Sequence, residues 1–329
     1  MKVKDYYNAD CAKLLSQKIK TVFPDFNEKV FIKYVDKNVS DKEFSERMDV
    51  FVDAFELYLP ENYENNIKIF EQILGSELKQ ETGMFTEGWW LWPIGRYVER
   101  HGIKNVKISL DFIKELTKRF TGEYAIRPLL ANKPKETIKT MEKWSKDGNV
   151  HVRRLASEGV RISLPWSKKI YIAIEEFEIY KKILTNLKND KSKFVQKSVG
   201  NNLNDLYKEF PEKANEIINE WKKDNPTKET IWIINHGLRS IKKNKIMEYG
   251  QTAYNRIVYA APAVAGLAYE KTQSAYGLCA FFLRHIFAVA GNLRFPLSQP
   301  QKRRIHSPPR LFDYSQVGLI EIIYYSIRN

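Results

Sequence analysis

Cysteine is almost missing from this chain: there are two in 329 residues. Cys11 and Cys279 lie far apart and have no metal-ligand spacing. Neither a disulfide framework nor a zinc site is expected, and such sparse use fits a reducing cytoplasm. Histidine is scarce too. His101, His151, His236, His285 and His306 show no metal spacing, so no metal is expected. No uninterrupted apolar run reaches the ~18 residues that a membrane span needs. The opening MKVKDYYNADCAKLL has no apolar signal core, which predicts no secretory leader. There is neither a phosphate-binding glycine loop nor a nucleophile elbow, and nothing calls for a cofactor. Sustained apolar–polar alternation is absent, which argues against half-buried strands. Acid is also in deficit: 40 Asp and Glu face 54 Lys and Arg, a net charge of +14. That excess favours nucleic acid or an anionic membrane as partner, and the lack of an apolar span turns the balance toward nucleic acid.

What is there is helical. From Ala9 to about Lys243 apolar residues recur at three and four, as in Leu14, Ile19, Val22 and Phe23, and again in Phe51, Val52, Phe55, Leu57 and Leu59. Breaks at Pro24, Pro60, Gly102, Pro128, Pro165, Pro211 and Pro226 leave room for ordinary helices with short connectors. A weak internal repeat runs through the region. Lys146 to Val160 (KDGNVHVRRLASEGV) lines up with Asn189 to Leu203 (NDKSKFVQKSVGNNL), and more loosely with Thr227 to Ser240 (TKETIWIINHGLRS). A period of about 40 residues with paired helices reads as HEAT-type stacking, a solenoid with a concave inner face. Chance likeness among helical hairpins is the alternative.

The character changes near Asn244. Residues 245–329 hold 4 of the 40 acids but 5 of the 13 prolines. The expected organisation is a repeat domain over 1–244 and an atypical segment over 245–329. That segment reads as a docking domain, a degenerate repeat or a shifted-frame extension.

The chemistry-bearing residues concentrate in Asn149 to Trp166, NVHVRRLASEGVRISLPW. Arg153, Arg154, Glu158, Arg161 and Trp166 fall within one helix and the turn after it. Arg154, Glu158 and Arg161 are spaced four and three, so they share a helix face. An exposed ion-pair ladder would explain them at a few tenths of a kcal/mol per pair. The face recurs, however, as Asn201, Asn202 and Asp205, and again as His236 and Arg239. A polar, mostly cationic strip on successive repeats is what a nucleic-acid backbone requires. Pro165 restricts the chain before Trp166 and so helps aim its indole, which is either core or a face for a base or sugar. Glu123, in RFTGEYAIRP, is either a first-turn acid capped by Thr121 or a carboxylate at the end of a groove. Trp89, Trp90 and Trp92 cannot all face one side of a helix, so one is expected in the core and another partly exposed, a candidate wedge or stacking residue.

FTGEYAIRPLL, HVRRLASEGVRISLPW, SVGNNLNDL and WIINHGLRS occur in order over approximately residues 5–243. In these segments the chain closely resembles the AlkC-type DNA alkylation repair glycosylases, of the HEAT-like-repeat family that also includes the AlkD type. Some members carry an immunoglobulin-like domain after the repeats, and the 245–329 segment lacks the short alternating strands for one. The resemblance implies an all-α solenoid with a concave basic face. It also implies excision of cationic N-alkylated bases such as 3-methyladenine from double-stranded DNA, by a monomer that does not fully flip the base. Glu123, Glu158, Trp166 and Asp205 match the family's acidic and aromatic motif positions and are the catalytic candidates. Arg153, Arg154, Arg161, Asn201, His236 and Arg239 fall where DNA contacts are expected, so replacing Arg154 should flatten the salt dependence of binding. A non-catalytic scaffold for DNA or RNA backbones explains the charge and the repeat equally well. It leaves acids on a phosphate-facing surface unexplained, and the two readings separate on whether Glu123, Glu158, Trp166 and Asp205 converge.

Overall fold

The polar turns of the sequence become helix starts. The computed structural model describes residues 2–81 and 87–241. Asn8 caps α1 (Ala9–Val22), Asn27 caps α2 (Glu28–Val39), and Glu43 opens α3 (Phe44–Tyr58) with its N–H held by Glu46. Asn62 caps α4 (Tyr63–Ile73), and Asn105 caps α6 (Val106–Thr117) after α5 (Trp92–His101). Each side-chain oxygen takes an amide that the first helical turn leaves unpaired. Prolines open α7 (Arg127–Asn132) and α8 (Pro134–Trp144), where a missing N–H costs nothing. Asn149 caps α9 (Val150–Glu158). The short α10 (Ile172–Glu175) leads into α11 (Phe177–Leu187). Ser192 caps α12 (Lys193–Glu209), Pro211 opens α13 (Pro211–Lys223), and Thr227 caps α14 (Lys228–Gly237). No strand occurs among the described residues.

These helices pair and stack. α9, α12 and α14 form one row, with α9 on α12 and α12 on α14. Behind it α8 packs on α11, and Lys181 of α11 reaches Glu216 and Glu220 of α13 at 3.1 and 3.6 Å. The repeat read from sequence is therefore physical. The caps Asn149 and Ser192 lie 43 residues apart and Thr227 follows 35 later. The same offsets align Glu158 with Asn201 and His236, and Arg161 with Asn204 and Arg239. The all-α helical-repeat fold is the one expected.

One apolar core runs from Tyr7 to Ile234. Its N-terminal part is aromatic: Phe31 stacks on Phe55 at 5.5 Å, and Phe55 meets Phe70 edge-on at 5.1 Å. Leu57, counted in the apolar period, instead points to solvent. Trp90 and Trp92 are buried and Trp89 is half-buried against Tyr6 and Tyr7, the split that three adjacent indoles require. The expectations for 245–329 concern residues outside those described.

Candidate functional site

Five charged side chains form one continuous chain of ion pairs. Arg154, on α9, meets Glu123 with both guanidinium nitrogens, at 3.0 and 3.3 Å, and approaches Glu158 at 3.6 Å. Glu158 receives Arg161 at 2.7 Å, and Arg161 Nε donates to Asp205 of α12 at 2.9 Å. The order is carboxylate, guanidinium, carboxylate, guanidinium, carboxylate. Only the Arg154–Glu158–Arg161 part could come from one helix face. α9 in fact ends at Glu158, and Arg161 reaches back from the turn beyond it. Glu123 sits in a turn before α7, where Thr121 caps no helix; its hydroxyl lies 3.4 Å from Arg154 Nη1.

Polar neighbours complete the network. Ser198 donates to Glu158 Oε2 at 2.6 Å. Asn202 holds the Ser157 carbonyl and hydroxyl at 2.8 and 2.9 Å, and Tyr180 donates to Asn202 at 3.3 Å. Phe194 places its ring 4.9 Å under the Arg154 guanidinium, a cation–π contact. Sequence spacing does not reveal these partners, because they join helices some 20 to 45 residues apart. The Ser198 and Asn202 positions within the aligned repeat were their only signal.

The three carboxylates are all buried, and their surroundings treat them differently. Burial pushes the Glu123 carboxyl above its ordinary range, and the charge of Glu158 adds to this; the pairing with Arg154 opposes both and does not cancel them. Burial also penalises Glu158, but Arg154, Arg161 and the Ser198 hydroxyl outweigh it and hold that carboxyl low. Burial raises Asp205 despite its bond to Arg161. Carboxylates outnumber guanidiniums three to two within the network. Beyond these pairs, Arg127, Lys208 and Arg239 act on Asp205 through longer-range attraction.

Trp166 lies on the loop after α9. Its side chain is 71% exposed, and its backbone takes φ +60°, the left-handed region that bulky residues rarely enter. Its indole lies 6.0 Å from Phe44 and 6.3 Å from Trp92. Tyr124, next to Glu123, stacks on Trp92 at 5.6 Å and donates to the Pro165 carbonyl at 3.1 Å. The indole is thus tied to the carboxylate segment through Tyr124 and Trp92. Phe44 and Tyr124 were not legible as site residues, and Trp92 only as a member of the tryptophan cluster.

The expected cationic strip is largely engaged within the protein. Arg153 pairs with Asp190 at 2.7 Å and donates to the Asp147 and Gly148 carbonyls, while Arg154 and Arg161 are in the network above. Farther along the row, Asn201 Oδ1 receives Arg239 at 3.0 Å and lies 3.2 Å from His236 Nε2. His236 stacks on Trp232 at 4.9 Å, and Lys193 lies 4.0 Å over that same indole. Arg239 is exposed, and Asn201 and His236 are half-buried. No group of three or more His, Cys, Asp or Glu side chains among the described residues could hold a metal ion. No described helix is long and apolar enough to cross a membrane.

Known proteins share this arrangement of chain. A family model described as DNA alkylation repair enzyme matches residues 120–241, the stretch from Glu123 to Arg239. Over 243 residues the chain is 32% identical to the uncharacterised protein YhaZ of Bacillus subtilis, covering 73% of this chain and 65% of that one. Among solved structures, the Pseudomonas fluorescens alkylpurine DNA glycosylase AlkC, bound to DNA containing an abasic site analogue, matches with a TM-score of 0.65 at 31% identity. That match covers 74% of this chain and 65% of the other. The chain spans just under two thirds of the length of both relatives.

Proposed function

We propose, from the chain's membership of the AlkC-type DNA alkylation repair proteins, that it is a DNA glycosylase for cationic N-alkylated bases such as 3-methyladenine. It acts as a monomer on double-stranded DNA and does not rotate the damaged nucleotide fully into a pocket. The observation that carries this reading is the convergence of three buried carboxylates, Glu123, Glu158 and Asp205, on two guanidiniums. In a protein of net charge +14, the demand of these buried acids for positive charge is visible in the Glu123 carboxyl, which burial raises. A cationic nucleotide is the ligand that would satisfy it.

The chemistry follows from the charge. A 3-methylated adenine is already positive, so it leaves with the C1′–N bond's electron pair and needs no protonation. The sugar that remains carries an oxocarbenium charge, planar and delocalised like the guanidinium that Glu123 and Glu158 already embrace. Carboxylates near C1′ stabilise that charge, and one accepts the proton of the water that attacks C1′. Glu158, kept ionised by two arginines, suits the standing negative charge. Glu123 and Asp205, whose carboxyls are raised, suit proton acceptance. The Trp166 indole offers a face to the cation, worth about 0.5–1 kcal/mol when exposed and ~2 once DNA covers it. Normal bases lack the charge and leave slowly, so selectivity needs no tight base pocket.

Glu123→Gln and Glu158→Gln test the assignment by single-turnover release of 3-methyladenine from methylated DNA. Each should slow release by roughly 10²-fold or more, the usual cost of one preorganised electrostatic partner. Wild-type rates in both variants would remove these carboxylates from the mechanism.

A further inference from the structure

Arg127 is buried and makes no ion pair among the described residues. Burial, with the charge of Arg161, lowers its pKa to about 10, so it remains a cation at neutral pH. All its hydrogen bonds go to main-chain oxygens of one loop: Arg161 at 2.9 Å, Ile162 at 3.5 Å, and Lys168. Its Nε is buried with no hydrogen-bond partner. A buried guanidinium spent on carbonyls is an expensive way to fill space, so its geometry must matter.

That loop is the one that carries Trp166. Within itself it has Ser167 N–H to the Leu164 carbonyl at 3.2 Å and Ile170 N–H to the Ile162 carbonyl at 3.3 Å. Arg127 grips it on both sides of the indole. Tyr124, three residues earlier, adds its hydroxyl to the Pro165 carbonyl, immediately before Trp166. The left-handed backbone of Trp166 persists only where its surroundings over-determine it.

We propose that Arg127 and Tyr124 are positioning residues that fix the Trp166 indole by clamping its loop to the segment that bears Glu123. This rests on Trp166 serving as the platform in the glycosylase reading above. One stretch, residues 123–127, then supplies a carboxylate at one end and orients the aromatic face through the other. The spacing between carboxylate and indole is set by that stretch, and a misplacement of about 1 Å can cost ~10²-fold in rate.

The test uses the full chain labelled with 5-fluorotryptophan, with the Trp166 ¹⁹F resonance assigned by Trp166→Phe. In Arg127→Met and Tyr124→Phe, the Trp166 resonance should move by more than its linewidth or broaden, while indoles distant from Trp92 keep their shifts. Tyr124→Phe leaves the ring on Trp92 and removes one hydroxyl, so it carries the test even where Arg127→Met fails to fold. A Trp166 resonance unchanged in the folded variants overturns the proposal. This arm needs no activity, so a wild-type protein that releases no base defeats the glycosylase reading and leaves the positioning result standing on its own. Where release is measured, Arg127→Met should cost about tenfold or more in the wild-type background and less than about twofold in Trp166→Ala. An equal loss in both backgrounds would also overturn it.

Discussion

Arg154 lies between two buried carboxylates, and removing it would strand Glu123 while leaving Glu158 to Arg161 and Ser198. Breaking a buried pair by deleting one partner costs about 3–5 kcal/mol. Arg154→Ala should therefore lower stability by that amount in urea or thermal unfolding, and Glu123→Gln in the same chain should recover part of it. A phosphate-contacting arginine, the role its sequence position suggests, would instead lower the salt slope of DNA binding and leave stability unchanged. The difference arises because the partner, Glu123, lies 31 residues away in sequence. Helical spacing reveals Arg154, Glu158 and Arg161 as neighbours, but not the turn that closes over them. The network also sets a pH dependence. Burial raises the Glu123 carboxyl, and pairing holds Glu158 low. As pH falls, Glu123 takes up its proton before Glu158. Single-turnover rates should show an acid limb above the ordinary glutamate range, near 4.3. Glu123→Gln should abolish that limb, and a limb that survives unchanged would assign it to another group.

At the scale of the elements, α12 meets α14 closely because the contact lacks side-chain bulk. A Cβ on Gly200 would lie 2.7 Å from His236 Cδ2 and 3.1 Å from its Cβ; one on Gly237 would lie 2.7 Å from Leu203 Cβ. Gly200→Ala must push His236 and its helix outward. It should destabilise by about 1–3 kcal/mol, as overpacking does, and this can be read from the denaturation midpoint. The same shift moves His236 and Arg239 relative to Asn201, so affinity for undamaged DNA should fall with it. Caps and prolines made most helix starts readable, since Asn, Ser and Thr side chains do there what the backbone cannot. The repeat register was readable for the same reason. What the pattern could not carry was the aromatic cluster of Phe44, Trp92 and Tyr124 beside Trp166, which assembles from three separate segments.

For the molecule as a whole, the helical period and the net charge of +14 pointed to an all-α repeat fold and a polyanionic partner. The fold is as expected, and the charge has a measurable consequence. The logarithm of the non-specific DNA affinity should fall linearly with log salt, with a slope near −0.9 for each phosphate neutralised. Titration by fluorescence anisotropy at several salt concentrations gives that slope. A flat response would mean that the excess charge does not meet DNA.

The buried carboxylates Glu123, Glu158 and Asp205 are proposed to serve a cationic nucleotide. The most direct measurement is single-turnover release of 3-methyladenine from methylated duplex DNA by the wild-type chain, Glu123→Gln and Glu158→Gln. Wild-type release should run well above the spontaneous rate and be slowed by roughly 10²-fold or more in each variant. Release no faster than without protein, or equal release in all three, would contradict that role.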